Sequence, residues 1–144
     1  MQVNSMKNGY KIVRGAVGDL REIYNSLISS DGLLYRPLQN EEFDRIFFAD
    51  GTLTLCAANE AGEAVGFLSA RLPNGEGVSY LTYFGVLPEH RGNGCASALL
   101  DEAERILRGE YGAGRIRCKL QLLGADVNIT EQHRRSPLRA RYSI

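Results

Sequence analysis

The chain has 144 residues, a length that fits one domain with a sizeable core and is too short for two. Its hydrophobic content of 44% and charged content of 24% are typical of a soluble globular protein. The formal net charge is zero, so nothing global points to nucleic acid or to a membrane surface as a partner. No apolar run approaches the roughly 20 residues that a membrane span needs.

Cysteine usage favours a reducing compartment. The three cysteines, Cys56, Cys95 and Cys118, are an odd number and show no C-x-x-C spacing. The sequence therefore indicates neither a disulfide framework nor a zinc site, and we expect no metal. The first ten residues lack the apolar core of a signal peptide. We expect a cytoplasmic protein.

In chain order, the first elements are predicted to be a tail, a strand and two helices. Residues 1–9 are expected to form a flexible tail. Residues 10–14 alternate as a strand does, and residues 17–30 carry an apolar stripe at helical spacing. A short second helix is predicted at residues 41–49, with Asn40 as its N-cap.

The middle of the chain predicts antiparallel strands followed by a crossover. Residues 52–59 and 64–72 are runs of strand formers around a glycine-bearing turn, which predicts a hairpin. A second turn at residues 73–77 leads into a central strand at residues 78–86. Residues 115–122 predict a further strand, parallel to the central one because a helix joins the two.

That crossover helix follows the central strand. Its apolar residues at 3-and-4 spacing predict one buried face: Ala96, Leu99, Leu100, Ala103, Ile106 and Leu107. Its charged residues fall largely on the opposite, solvated face: Asp101, Glu102, Arg105 and Arg108.

The loop between strand and helix, residues 91–96, is the predicted site, and we call it the glycine loop. A loop that enters a helix presents backbone N–H groups without intrahelical partners at the positive end of the helix dipole. Gly92 and Gly94 permit positive φ and leave no Cβ between backbone and ligand. The pattern therefore indicates an anion site for phosphate or pyrophosphate, with Arg91 at its lip. The alternative is an ordinary strand-to-helix turn.

Two familiar phosphate loops fit poorly. A nucleotide P-loop needs Gly-Lys-Ser/Thr, which occurs nowhere in the chain. The dinucleotide fingerprint needs a third glycine at position 97, where this chain has Ser97, and a repeated βαβ pattern is missing.

A third motif matches at every fixed position. The run V-L-P-E-H-R-G-N-G-C-A at residues 86–96 resembles the coenzyme-A-binding motif of the GNAT (general N-acetyltransferase) superfamily, V-x-P-x-x-[RQ]-G-x-G-x-[GA]. The resemblance covers residues 10–122. It implies a mixed α+β fold whose central, mostly antiparallel sheet is flanked by helices and separates at the coenzyme site.

The resemblance implies acetyl-CoA as acyl donor, with the pyrophosphate on the loop and the pantetheine arm paired with the central strand. The implied cofactor-binding residues are Phe84, Gly85, Val86, Arg91, Gly92, Asn93, Gly94, Cys95 and Ala96. The stretch around residues 31–49 would wall the acceptor pocket, which makes Tyr35, Arg36, Phe43 and Phe47 candidate substrate contacts, and Tyr80 is a further candidate. For Phe43 and Phe47 the preferred interpretation is that they are core residues.

The proton-transfer groups are less evident. Family members often carry a glutamate on the central strand, whereas this chain has Tyr80, Thr82 and Tyr83 there. Thr82 or Tyr80 could hold a relay water near the acceptor, and Glu76 or Asp31 could act as base. Tyr83 and Tyr142 are the candidate acids for the leaving thiolate.

The C-terminal part, residues 124–144, departs from the family pattern. No Ala or Tyr stands where the family's next helix has them. We therefore expect a frayed tail, a final strand at residues 138–144, or a truncated or rearranged end. A short helix starting at Asn128 is one expectation for it.

The sequence thus predicts a single acetyltransferase-like domain, residues 1–144, that transfers an acetyl group to a primary amine by direct attack in a ternary complex. The alternative is a non-catalytic acyl-CoA-binding or interaction module with the same fold. The expected acceptor is a small-molecule or peptide amine, not nucleic acid or a membrane. A homodimer, common in the family, stays open.

Overall fold

The computed structural model describes residues 2–15, 20–22, 24–25, 39–90, 92–120 and 125–128. Within these residues one sheet contains seven strands, ordered as they occur along the chain. They are β1 (Gln2–Lys7), β2 (Tyr10–Arg14), β3 (Thr52–Ala58), β4 (Ala64–Arg71), β5 (Val78–Val86), β6 (Arg115–Leu120) and β7 (Ala125–Asn128). The helices are α1 (Asn40–Phe47) and α2 (Cys95–Gly109), a 3-10 turn spans Pro88–His90, and residues 20–22 and 24–25 are also helical.

The sheet is mixed and mostly antiparallel, as predicted. Strand β5 pairs in parallel with β6, and the other neighbouring pairs are antiparallel. The parallel pair follows from α2, because a helix crossover carries the chain back to the end of the sheet at which β5 began. The predicted hairpin, central strand and crossover are confirmed.

The two faces of the sheet carry different cores. Helix α2 covers one face with its predicted apolar stripe, and Leu99, Ile106 and Leu107 are fully buried against the sheet. The other face carries rings that pack edge-on or tilted at centroid distances of 4.7–6.1 Å. We call this set the aromatic cluster: Tyr24, Phe43, Phe47, Phe67 and Tyr83. The interpretation of Phe43 and Phe47 as core residues is therefore confirmed.

The centre of the sheet is irregular at one point. Ser69 of β4 lies opposite Tyr83, but the next residue, Ala70, lies opposite Leu81, so Thr82 is an extra residue in β5. Such a bulge bends a strand and increases its twist. On the other side of β5, the ladder with β6 ends at Leu81 and Cys118. The two parallel strands thus separate beyond the bulge, toward the glycine loop.

Three local expectations are wrong. Residues 2–9 are not a tail, because residues 2–7 form β1 and pair with β2. Asn40 is the first residue of α1 rather than its cap, and Gln39 stands at the cap without a side-chain hydrogen bond. Glu102 is only 5% exposed, since Arg105 neutralises it with hydrogen bonds of 2.6 and 3.0 Å. Asn128 is the last residue of β7, and the short helix expected to follow it lies outside the described residues.

Candidate active site

The glycine loop leaves β5 and enters α2 through two left-handed residues. Gly92 has φ of 80° and Gly94 has φ of 89°, values that residues with a Cβ rarely adopt. Gly94 is the N-cap of α2. The loop therefore has the conformation that its glycines predicted. No atom lies within 4 Å of the position that a Cβ on Gly92 would take, so a ligand can approach the backbone there.

The start of α2 has hydrogen-bond donors to spare. Ala98 is the first residue whose N–H reaches back into the cap, with 3.0 Å to the Gly94 oxygen. The preceding N–H groups have no intrahelical acceptor, no side chain among the described residues caps the helix, and its first turn holds no acidic residue. The Ser97 hydroxyl is buried without a hydrogen-bond partner in the described part of the chain. Orphan donors and an orphan hydroxyl at the positive end of a helix fit an anionic group such as a pyrophosphate.

Close packing fixes the position of this helix end. A Cβ at Gly66 of β4 would lie 3.1 Å from the Gly85 oxygen and 3.2 Å from the Cys95 sulfur. Only a glycine at this point lets α2 begin so near the sheet. Cys95 itself is 1% exposed, and burial, helped by the neighbouring Cys56, raises the pKa of its thiol to about 12. A thiol held in its protonated form is a packing group, not a nucleophile.

Strand β5 directs consecutive side chains to opposite sides of the sheet. Phe84 packs with the core under α2, whereas Tyr83 joins the aromatic cluster, with ring centroids 6.0 Å from Tyr24 and 5.4 Å from Phe47. The Thr82 hydroxyl donates to the Ser69 oxygen at 3.1 Å, so its proton holds the bulge. A group bound along the end of β5 would thus lie between the face of the sheet that α2 covers and the face that carries the aromatic cluster.

The structure brings together only some of the predicted site residues. Phe84, Gly85 and Val86 at the end of β5 lead into Gly92, Asn93, Gly94, Cys95 and Ala96 at the start of α2. Tyr80 lies in the first half of β5, opposite Arg71 and Arg117. Glu76 lies in the turn before β5, at the end of that strand remote from the glycine loop. Arg91, Tyr35, Arg36, Asp31 and Tyr142 lie outside the described residues.

Sequence reasoning missed the turn between β1 and β2. Asn8 donates through Nδ2 to the Gly94 oxygen at 3.1 Å, and the Tyr10 hydroxyl lies 3.3 Å from His90 Nδ1. The signal was available, because Asn-Gly between two runs of strand formers is typical of a two-residue hairpin turn. The glycine loop therefore has a neighbour that comes from the first ten residues.

Among the residues that the structure describes, no three His, Cys, Asp or Glu side chains are grouped so that they could hold a metal ion. No described helix has both the length and the apolar character to cross a membrane.

A mostly antiparallel sheet that opens beside a glycine loop and a helix N-terminus defines an acetyltransferase-type fold. The model of the Acetyltransferase (GNAT) family matches residues 20–125, and the chain belongs to that family. It is accordingly an enzyme of the N-acetyltransferase class. No curated protein sequence matches the chain significantly.

Solved structures share the fold. A ribosomal-protein-alanine N-acetyltransferase from Brucella melitensis biovar Abortus 2308 is 23% identical, with a TM-score of 0.60, over 76% of this chain and 80% of that one. An aminoglycoside 6'-N-acetyltransferase complexed with coenzyme A is 18% identical, with a TM-score of 0.61, over 74% and 59%. An aminoglycoside acetyltransferase from an uncultured soil metagenomic sample, in complex with trehalose, is 16% identical, with a TM-score of 0.64, over 92% and 89%.

Proposed function

We propose that this protein transfers an acetyl group from acetyl-CoA to a primary amine, by direct attack of the amine while both substrates are bound. One observation carries the donor half of this proposal. The start of α2 presents uncapped amides and the orphan Ser97 hydroxyl beside two left-handed glycines. This arrangement suits a pyrophosphate, which acetyl-CoA carries and most other acyl donors lack.

The donor would lie along the loop and the end of β5. The amides from Gly92 to Ala96, with the Arg91 guanidinium beside them, would hold the pyrophosphate. The backbone from Phe84 to Val86 would pair with the pantetheine arm, as an added strand does, where β5 and β6 have separated. Bound acetyl-CoA supplies an activated thioester. A backbone N–H at the end of β5 would polarise its carbonyl oxygen.

Acetyl transfer forms a C–N bond, breaks the C–S bond, and moves one proton from the amine toward the departing sulfur. Among the described residues, Tyr83 is the preferred donor of the proton to the departing sulfur. Its ring is half-buried, and the aromatic cluster fixes the position of the ring. The Thr82 proton is already engaged with the Ser69 oxygen, so Thr82 would accept a hydrogen bond from a relay water rather than act as acid. Tyr142 is the alternative acid. Positioning of the two substrates supplies much of the rate even without a strong base.

The acceptor would approach from the aromatic side of β5. Tyr80, Tyr35 and Arg36 are the residues that we propose to contact it. Similar folds belong to acetyltransferases named for aminoglycosides and for the alanine of a ribosomal protein, which supports an amine on a small molecule or a peptide. Assembly as a homodimer is part of the proposal and is tested by the mass of the protein in solution.

The test has a binding arm and a turnover arm. In the first, thermal unfolding is followed with increasing acetyl-CoA, with Mg-ATP as control and Arg91→Glu as the matched variant. At 100 times its Kd a ligand stabilises a protein by about 2.7 kcal/mol. We expect this with acetyl-CoA only, and a much smaller shift in Arg91→Glu.

The turnover arm follows release of free thiol with a panel of primary amines. Amine-dependent release supports transfer. Tight binding without release by any amine would contradict catalysis and favour a binding module. Failure of a folded sample to bind acetyl-CoA would refute the proposal.

A further inference from the structure

The turn between β1 and β2 lies directly against the glycine loop. Asn8 has φ of 57° and Gly9 has φ of 86°, so both central residues of this two-residue turn are left-handed. Lys7 and Tyr10 pair across the turn, and β2 also pairs with β3 on its other side. The position of Asn8 is therefore set by the sheet, not by the loop that it contacts.

The contact is tight and specific. Asn8 Nδ2 donates to the Gly94 oxygen at 3.1 Å. A Cβ on Gly94 would lie 2.7 Å from that nitrogen and 3.0 Å from the Asn8 Cβ and Cγ atoms. The absent side chain of Gly94 thus makes room for the Asn8 amide as well as for the left-handed backbone.

A second contact from the same hairpin reaches His90, the residue directly before the glycine loop. The Tyr10 hydroxyl lies 3.3 Å from His90 Nδ1, and the two rings meet edge-on at 6.1 Å. Burial and the nearby Cys95 raise the pKa of Tyr10. The hairpin therefore contacts the glycine loop at Gly94 and also contacts His90, which directly precedes the loop.

Holding the Gly94 oxygen has a consequence for donor binding. The peptide group that contains this oxygen also contains the N–H of Cys95, so fixing one end of the plane aims the other. The Gly94 oxygen accepts both Ala98 N–H at 3.0 Å and Asn8 Nδ2, which fixes the plane in two directions. Preorganised donors bind a ligand with less ordering cost than mobile ones.

We propose that Asn8 is a positioning residue for the acyl donor: it aligns the amides of the glycine loop with the pyrophosphate. The inference rests on the proposed function, because it assigns the loop to acetyl-CoA. Asn8 acts through Gly94 and does not itself take part in the chemistry.

The test compares two variants with two donors. Asn8→Gly removes the amide and keeps the left-handed turn. Asn8→Asp keeps the shape but faces the Gly94 oxygen with a carboxylate oxygen. Asn74→Ala is the matched control, because Asn74 also hydrogen-bonds in a hairpin turn, to Glu76 N–H and Val78 N–H, at the remote end of β5. Affinity is measured by calorimetry for acetyl-CoA and for S-acetylpantetheine, which lacks the pyrophosphate.

We expect Asn8→Gly to weaken acetyl-CoA about 3- to 10-fold, the worth of one hydrogen bond, with S-acetylpantetheine unchanged. Asn8→Asp should weaken acetyl-CoA further, and added salt should reduce the difference, because its charge faces the anion. Asn74→Ala should bind both donors as the wild type does. Equal loss for both donors would mean a merely structural role and would overturn the inference.

The two proposals fail in different ways. If the wild type binds acetyl-CoA and Asn8→Gly binds it equally well, only the positioning role is refuted. If the folded wild type binds neither donor, the proposed function and this inference both fall.

Discussion

Replacing Gly66 by alanine tests how closely α2 must approach the sheet for the site to form. Gly66 lies in β4 opposite Val86, beneath the first residue of α2. The new Cβ would meet the Gly85 oxygen at 3.1 Å, the Cys95 sulfur at 3.2 Å and Leu99 Cδ1 at 3.4 Å. The first two distances are too short for normal contact, so α2 or β5 must shift by a few tenths of an ångström.

The size of the effect follows from two opposing terms. Overpacking of a filled core costs about 1–3 kcal/mol. Alanine in a strand regains about 0.5–1 kcal/mol through backbone entropy. We therefore expect Gly66→Ala to lower the free energy of unfolding by about 0.5–2 kcal/mol. Gly66→Val, with two more methyl groups in the same space, should lower it by more than Gly66→Ala.

A double-mutant cycle isolates the contact with sulfur. Cys95→Ala removes one of the two tight contacts, so adding Gly66→Ala to it should cost about 0.5–1.5 kcal/mol less than in the wild type. Urea unfolding gives the four free energies, and calorimetry gives the affinity for acetyl-CoA. Gly75→Ala is the control, because no atom lies within 4 Å of the position that a Cβ on Gly75 would take and its φ is not positive. Gly62→Ala is unsuitable because Gly62 has a positive φ.

Two results would refute this reasoning. Additive free energies in the cycle would mean that Gly66 and Cys95 are not in the contact described. An unchanged acetyl-CoA affinity in Gly66→Val would mean that the helix end need not lie where the glycine allows it.

Three further changes have defined outcomes. Tyr83→Phe keeps the ring in the aromatic cluster and removes the proposed acid, so kcat should fall about 100-fold while stability stays nearly unchanged. The control is Tyr111→Phe, because Tyr111 is exposed. A normal kcat in Tyr83→Phe would leave the role of acid to Tyr142. Burial raises the pKa of Cys95 from 9.0 to about 12, so the stability that the protonated thiol contributes is fully present below pH 9.0 and is lost as the pH rises toward about 12. In that window the wild type should lose about 1.4 kcal/mol of stability per pH unit relative to Cys95→Ala. A stability difference between the two proteins that does not change with pH would contradict this. Glu102→Gln removes the ion pair with Arg105, whose side chain is half exposed. It should lower the free energy of unfolding in urea by about 1 kcal/mol, and by less at high salt. A loss that does not depend on salt would mean that the ion pair contributes nothing.

The sequence predicted the elements whose cause is local. The alternation in residues 78–86 and the apolar spacing in residues 96–107 predict strand and helix because each pattern reflects one buried face. Gly92 and Gly94 predicted left-handed backbone, which both residues adopt. The motif at residues 86–96, which matches at every fixed position, also indicated the family, and the match of the family model over residues 20–125 shows it.

Local patterns failed where the deciding interaction came from another part of the chain. Residues 2–7 become a strand only because β2 offers an edge to pair with. Glu102 was expected in solvent on the basis of helical spacing, but Arg105 lets it remain buried on the same helix. The extra residue at Thr82 depends on the register of β4 against β5, to which one strand's sequence carries no direct signal.

The sequence by itself therefore determined the strand–loop–helix unit and its glycine conformations, and it predicted the anionic donor that we propose for this unit. Only the tertiary structure decided that β5 and β6 separate beyond Leu81, that Tyr83 joins the aromatic cluster, and that Asn8 contacts Gly94. The physical reason is distance along the chain. Periodicity and φ preferences act over a few residues, whereas Asn8 and Gly94 meet because strand pairing brings together residues that are 86 positions apart.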